Sequence, residues 1–184
     1  VTDFNDCTYI EEFEITGPEG GIEITEDSIS DYNGYGVSCY DGENGEINVS
    51  VSGGTGNYTY SWTSDNGFFS SEEDISDLIA GTYNLVVTDE NSEFNDDCGS
   101  FQSFIIDEPD LIEMNVEISN YNGFDVSCAN ASDGFIDIEI TGGNPPFNYE
   151  WDTGATSQDI NNLSAGTYSV VVSDNNNCSQ EFEF

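Results

Sequence analysis

The 184-residue chain contains no lysine, no arginine and no histidine, against 38 aspartates and glutamates, for a formal charge of −38. Each absence removes a class of function. Without cationic side chains the chain has nothing to neutralise phosphates, which excludes nucleic-acid binding and electrostatic attachment to anionic lipid. A nucleotide pocket would lack its Lys or Arg clamp. Without histidine there is no unperturbed base near neutral pH, so His-dependent triads and His metal sites are excluded. No side-chain salt bridge can form. Long apolar runs are also missing: none approaches the roughly 18–20 residues that span a bilayer, and no signal-peptide pattern opens the chain. Val1 therefore reads as an internal position of a longer protein.

What is present argues for folded structure. Hydrophobic residues make up 36% and aromatics 13%, with 12 Phe, 10 Tyr and 2 Trp, enough apolar surface to build packed cores despite the charge. The 19 glycines, with many Asn, Asp, Ser and Thr, suit turns between short strands.

Aligning the chain with itself exposes a repeat. Residues 31–62, DYNGYGVSCYDGENGEINVSVSGGTGNYTYSW, match 120–151, NYNGFDVSCANASDGFIDIEITGGNPPFNYEW, without a gap and with 12 of 32 positions identical. After a four-residue deletion, DISDLIAGTYNLVVTD (74–89) matches DINNLSAGTYSVVVSD (159–174). A partial third copy stands at the N-terminus, where Val1-Thr2-Asp3 echoes Val87-Thr88-Asp89, and Cys7 precedes Phe13 as Cys98 precedes Phe104 and Cys178 precedes Phe184. The expected organisation is the C-terminal hairpin of a preceding unit at 1–19, a complete unit at 20–109, and a second unit at 110–184, truncated in its last strand.

Each unit reads as all-β. Ile47, Val49 and Val51 alternate with polar residues, as do Ile136, Ile138 and Ile140, and Tyr58-x-Tyr60-x-Trp62 is matched by Phe147-x-Tyr149-x-Trp151. Period two marks strands with one face buried and one wet. About seven short strands per unit, with Gly-Gly turns and a strand-borne Trp, predict tandem immunoglobulin-like (PKD-like) antiparallel β-sandwiches arranged as a rod. Strict alternation favours core packing for the aromatics over a sugar platform. Phe68 and Phe69 fall at the deletion, and read equally as an exposed contact or a local core filler.

The ordered elements resemble those of the SprB-type repeat of giant surface adhesins from gliding and other Bacteroidetes: Cys, a DG or NG turn with an Ile strand, Gly-Gly, Tyr-x-Tyr-x-Trp, then Leu-x-Ala-Gly-Thr-Tyr-x-x-x-Val-x-Asp and a final Cys. The resemblance implies an extracellular tandem array on the cell surface, exported by the type IX pathway and used in adhesion, gliding motility or cell contact. It implies no catalytic residues.

Carboxylates are the only abundant reactive groups, and no pair stands out as a catalytic dyad, so the chain is not expected to be an enzyme. Calcium is the one cofactor the composition suggests, since it takes 6–8 oxygen ligands. Sandwich topology predicts that Asp41, Glu43, Asp107, Glu108, Asp110 and Asp174 converge at one inter-unit junction. Either a Ca²⁺ site or a solvated acidic surface with loosely held counter-ions fits them, and no D-x-D-x-D-G loop decides the matter.

Cysteines at matching positions in the two copies imply disulfides in an oxidising setting. Pairing within units joins Cys39 to Cys98 and Cys128 to Cys178, with Cys7 bonded outside the chain, and is the favoured scheme. A Cys39–Cys178 staple between units is the alternative, because the intra-unit partners fall at opposite ends of a sandwich. The expected function is a stalk or spacer of a very large secreted filament or adhesin. Its expected partners are neighbouring repeats, other copies in a homo-oligomeric fibre, and cell-surface or substratum ligands met through other domains, with no nucleic acid and no membrane insertion. A glycan-binding module is the second reading.

Overall fold

The computed structural model describes residues 12–14, 21–89 and 99–184. Thirteen strands form among them, all paired antiparallel. No helix among these residues is long and apolar enough to cross a membrane. The alternating segments of the sequence become β1 (Glu23–Ile29), β2 (Gly45–Ser52), β3 (Tyr58–Ser64), β4 (Phe69–Ser70), β5 (Ile75–Leu78), β6 (Gly81–Asp89) and β7 (Gly99–Ile106). The second copy supplies β8 (Glu113–Ile118), β9 (Ser132–Thr141), β10 (Asn148–Trp151), β11 (Ile160–Ser164), β12 (Ser169–Ser173) and β13 (Ser179–Glu183).

In the first unit, a sheet of order β1-β2-β5 faces one of order β4-β3-β6-β7. In the second, β8-β9-β11 faces β10-β12-β13. Chain crossings between sheets at β2 to β3 and β9 to β10 give the immunoglobulin-type sandwich. The period-two pattern is the cause: Ile47, Val49, Trp62, Leu85, Val87 and Phe104 all point inward and are buried in one core. Ile136, Ile138, Trp151, Val170 and Val172 form the other. Each Trp indole N–H satisfies itself on a backbone carbonyl, Trp62 on Glu72 and Trp151 on Ser157, so the largest side chains bury without an orphaned donor.

The aromatic stripes are core elements. Tyr58 and Tyr60 pack against the first core, Phe147 and Tyr149 against the second. Burial, with a hydrogen bond to Glu73 second, pushes the Tyr60 hydroxyl up to about 12. The Phe68–Phe69 pair divides its roles. Phe68 meets Tyr83 edge-on, with centroids 5.5 Å apart, whereas Phe69 is 83% exposed.

The Gly-Gly turns have a steric reason. A Cβ on Gly142 would sit 1.9 Å from the Leu111 carbonyl oxygen, and one on Gly53 would sit 2.1 Å from that of Gly21. Both are at positive φ. The turn presses against the chain entering each unit, and only glycine leaves room.

Candidate functional site at the inter-unit junction

The loop between β1 and β2 lies at one end of the first sandwich, and its shape follows from its residues. Asn33 and Gly34 both take positive φ, closing a tight turn in which Tyr32 N–H donates to Tyr35 O at 2.8 Å. The Tyr32 hydroxyl reaches Asn44 O, and Asp31 caps Gly34 N–H at 2.6 Å. The linker after β7 threads under this loop. Gly36 N–H donates to Asp107 O and to its Oδ1, each at 3.0 Å, and Asp41 N–H donates to Glu108 Oε2 at 2.7 Å.

The second sandwich presents two loops to the first. One follows the Gly142-Gly143 turn and carries Asn144; the other joins β12 to β13 and carries Asn176 and Cys178. Asp174 organises both. It is 1% exposed, and its carboxylate accepts N–H bonds from Asn144, Asn176 and Cys178, all at 2.9 Å. Three amide donors are what make a buried carboxylate tolerable.

Asn144 and Asn176 then cross the junction. Asn144 donates its side-chain amide to Tyr32 O at 3.2 Å and Asn33 O at 3.3 Å. Asn176 donates to Tyr32 O at 3.2 Å and Ser38 O at 3.0 Å, and accepts from the Asn33 side chain at 2.6 Å. Neutral amides hold the contact, in a chain that has no cation to do so. A cleft of about 240 Å³ lies beside it, lined in part by Tyr40, Pro109, Asp110, Gly143, Asp174 and Gln180.

The covalent link corrects the favoured cysteine pairing. Cys39 bonds Cys178, not Cys98, across a Cα–Cα distance of 5.6 Å and 139 residues of sequence. Cys128, expected to bond Cys178, is a free and exposed thiol. The reason is topological. In the second unit Cys128 precedes the ten-residue β9 and Cys178 lies by the loop that follows it, roughly 30 Å away, whereas a disulfide needs Cα atoms within about 7 Å. Cys7 and Cys98 lie outside the described residues.

Of the six acids expected to converge, the structure brings together the linker acids and the loops they touch. Asp107 and Glu108 accept backbone N–H groups from the β1–β2 loop, Asp174 serves its own two loops, and Asp110 contributes its carbonyl to Gly143 N–H at 2.8 Å. Asp110 and Asp174 share the cleft, while Glu43 stands exposed on the first unit's side. Among the described residues no group of three or more Asp, Glu, Cys or His is arranged to hold a metal ion. The residues that sequence reasoning missed are the amides, Asn33, Asn144 and Asn176. The repeated Tyr-Asn-Gly turn was a visible signal for Asn33 alone.

No curated protein matches the chain. Among solved structures it is similar to the C-terminal 282-residue fragment of intimin, solved in complex with the intimin-binding domain of the translocated intimin receptor, at 13% identity and a TM-score of 0.42. That match covers 90% of this chain and 64% of the intimin fragment, so the chain spans less than two thirds of that relative's length. It is also similar to the amphioxus IgVJ-C2 molecule, at 14% identity and a TM-score of 0.30, covering 90% of this chain and 95% of the other. The family model of the SprB repeat matches residues 37–67 and 124–156, in each case running from the cysteine loop through the Ile strand and the Gly-Gly turn to the Trp strand and just beyond it, so that two segments of the chain match the SprB repeat.

Proposed function

We propose that this chain is a stalk segment of a very large secreted surface filament or adhesin, a non-enzymatic spacer that carries load between a cell surface and whatever the parent protein contacts in adhesion, gliding motility or cell contact. The observation that carries the reading is the junction: two sandwiches in series, clamped by Asn144 and Asn176 and crosslinked by Cys39–Cys178. A crosslink between units, in place of one inside each, resists separation of neighbours under tension. It also fits an oxidising, extracellular location, while the SprB match is what supports export by the type IX route.

The junction loop is itself repeated, which supports a tandem array. Tyr121, Asn122, Gly123, Ser127 and Cys128 stand where Tyr32, Asn33, Gly34, Ser38 and Cys39 stand in the first unit. The internal bonds repeat too. Tyr121 OH donates to Asp133 O, and Gly123 N–H to Asn120 Oδ1. Hydrogen bonds from Ser127 hold Asp133 below the ordinary carboxylate range. The second unit thus presents the same receiving surface, with its thiol free. In this reading the array extends as a rod by repeating one interface. Cations meet the junction acids Asp41, Glu43, Asp107, Glu108, Asp110 and Asp174 as counter-ions.

Single-molecule force spectroscopy tests the mechanical part. Pulled from its ends, the oxidised chain hides the segment between Cys39 and Cys178, a separation of 139 residues. Reduction is expected to add about 500 Å of contour length. A gain near 200 Å, the length of a loop closed within one unit, overturns the inter-unit crosslink. Beads coated with the chain are expected to show no saturable adhesion to cells or glycan arrays, and saturable glycan binding would replace the spacer reading with a glycan-binding module.

A further inference from the structure

Neighbouring strands of the first unit place Phe69, Val86, Phe101 and Ile105 on one outer sheet face, with exposures of 83%, 41%, 64% and 68%. The registers fix the arrangement. Phe69 lies beside Thr63, Val86 lies between Ser61 and Phe101, and Ile105 lies beside Thr82. The other outward positions of β3, β6 and β7 are Thr, Ser, Asn and Gly. Among the described residues this face carries no acid, in a chain with 38 of them.

The other three sheet faces carry acids. Glu23 and Glu46 point outward on β1 and β2, and Asp137 and Glu139 on β9. The contrast is sharpest at the counterpart of Val86. Val171 in β12 is flanked by Glu150 and Glu181, where Val86 is flanked by Ser61 and Phe101. The same sandwich position is thus ringed by charge in one unit and by apolar and hydroxyl groups in the other. Folding does not require the difference, because the second unit forms the same strands with glutamates there.

We propose that the β4-β3-β6-β7 face of the first unit is a lateral self-association surface, whose occupant is the same face of a second copy of this chain. Charge selects the partner. Two chains of −38 each repel wherever acids are brought together, and this is the sheet face on which they meet without doing so. The surface is self-complementary by construction, as a two-fold contact requires. It spans roughly 20 Å along the strands and 15 Å across them, so a pair buries on the order of 600 Å². That lies below the usual range for stable complexes and gives a weak contact, suited to pairing two chains side by side. The inference goes beyond the stalk reading, which needs no lateral contact.

Sedimentation equilibrium of the whole chain, oxidised and with free thiols alkylated, tests it. At about 1 mM chain, the weight-average mass is expected to rise from the monomer's 20.1 kDa toward twice that value as NaCl is raised to about 1 M, where screening removes the repulsion. Phe101→Glu, which copies the residue at 181, is expected to abolish the rise while leaving the melting temperature within about 2 °C. Glu181→Gln, on the other unit, is expected to leave the rise intact. A chain that stays monomeric in high salt overturns the proposal. So does a Phe101→Glu variant that still associates, or binding of a neutral oligosaccharide such as maltohexaose that Phe101→Glu abolishes in a chain showing no self-association.

Discussion

Asn176 donates its side-chain amide to Ser38 O at 3.0 Å, two residues before Cys178 closes its bond to Cys39. The hydrogen bond and the disulfide thus lie side by side on the same two loops. The amide's contacts with Tyr32, Asn33 and Ser38 pin the two loops that carry the sulfurs. Asn176→Ala removes all three. Their carbonyl partners regain water in the variant, so the stability cost is expected to be small, about 1–2 kcal/mol. The disulfide should respond more. Reduction by dithiothreitol is expected to run several-fold faster in Asn176→Ala than in the parent chain, followed by mass shift after alkylation, and an unchanged rate would mean that the amide does not guard the bond.

A larger effect is expected one step further in. Asp174 accepts three backbone N–H groups at 1% exposure, and no water can replace it without rearrangement. Asp174→Ala strands one buried and two half-buried donors and should cost about 2–4 kcal/mol, read as the loss in chemical-denaturation midpoint of the second unit. Asp174→Asn keeps an acceptor and should fall between the two. The counterpart Asp89 accepts Thr55 N–H at 2.9 Å, so the same device anchors the glycine turn in the first unit.

Much of this was legible before any coordinates. The alternation at Ile47–Val51 and Ile136–Ile140 located the core strands, because a half-buried strand has period two. Strand count also predicted that loops of neighbouring units meet at one junction, where Asp107 and Glu108 accept N–H bonds from the β1–β2 loop while Glu43 stands exposed. The same topology also offered the Cys39–Cys178 staple, but the repeat weighed against it. Two copies keeping the same two cysteines suggest closure within each copy, and only the spatial distance between opposite ends of a sandwich excludes it. Nor could the sequence say that Asp107, Glu108 and Asp174 face amide hydrogens. A carboxylate's partner is set by backbone direction, which composition does not encode. The acid-free face lay hidden because its residues are scattered over 59–105 and become neighbours only through strand register.

The pH response can be predicted at one position from the repeat itself. Asp137 lies close to Asp159, whose charge raises its pKa above the ordinary carboxylate value. The first unit has Asn48 at the matching position, beside Asp74, which accepts Val49 N–H just as Asp159 accepts Ile138 N–H. A folded-state pKa above the unfolded one means that ionisation disfavours the fold. The destabilisation is absent below the unfolded value near 3.9 and fully present once pH exceeds the folded one. Asp137→Asn is therefore expected to raise the melting temperature slightly at pH 7, with the gain vanishing as pH falls below about 4. A gain that persists at pH 3 would point to packing instead of charge.

Calcium poses the last question. The junction carboxylates Asp107, Glu108 and Asp174 already accept backbone N–H bonds, so a cation coordinated there must compete with amides that hold the loops together. The expected response is counter-ion behaviour. Ca²⁺ should raise the melting temperature gradually, with no saturable heat in calorimetry. The paired variants Glu43→Gln with Asp110→Asn, at the junction, should weaken that response no more than Glu23→Gln with Glu183→Gln, which are exposed at the strand ends opposite it. Removing two charges lowers counter-ion attraction wherever they sit, whereas removing two ligands abolishes a site only at the site. Stoichiometric binding lost in the first pair and kept in the second would establish a calcium-stiffened joint.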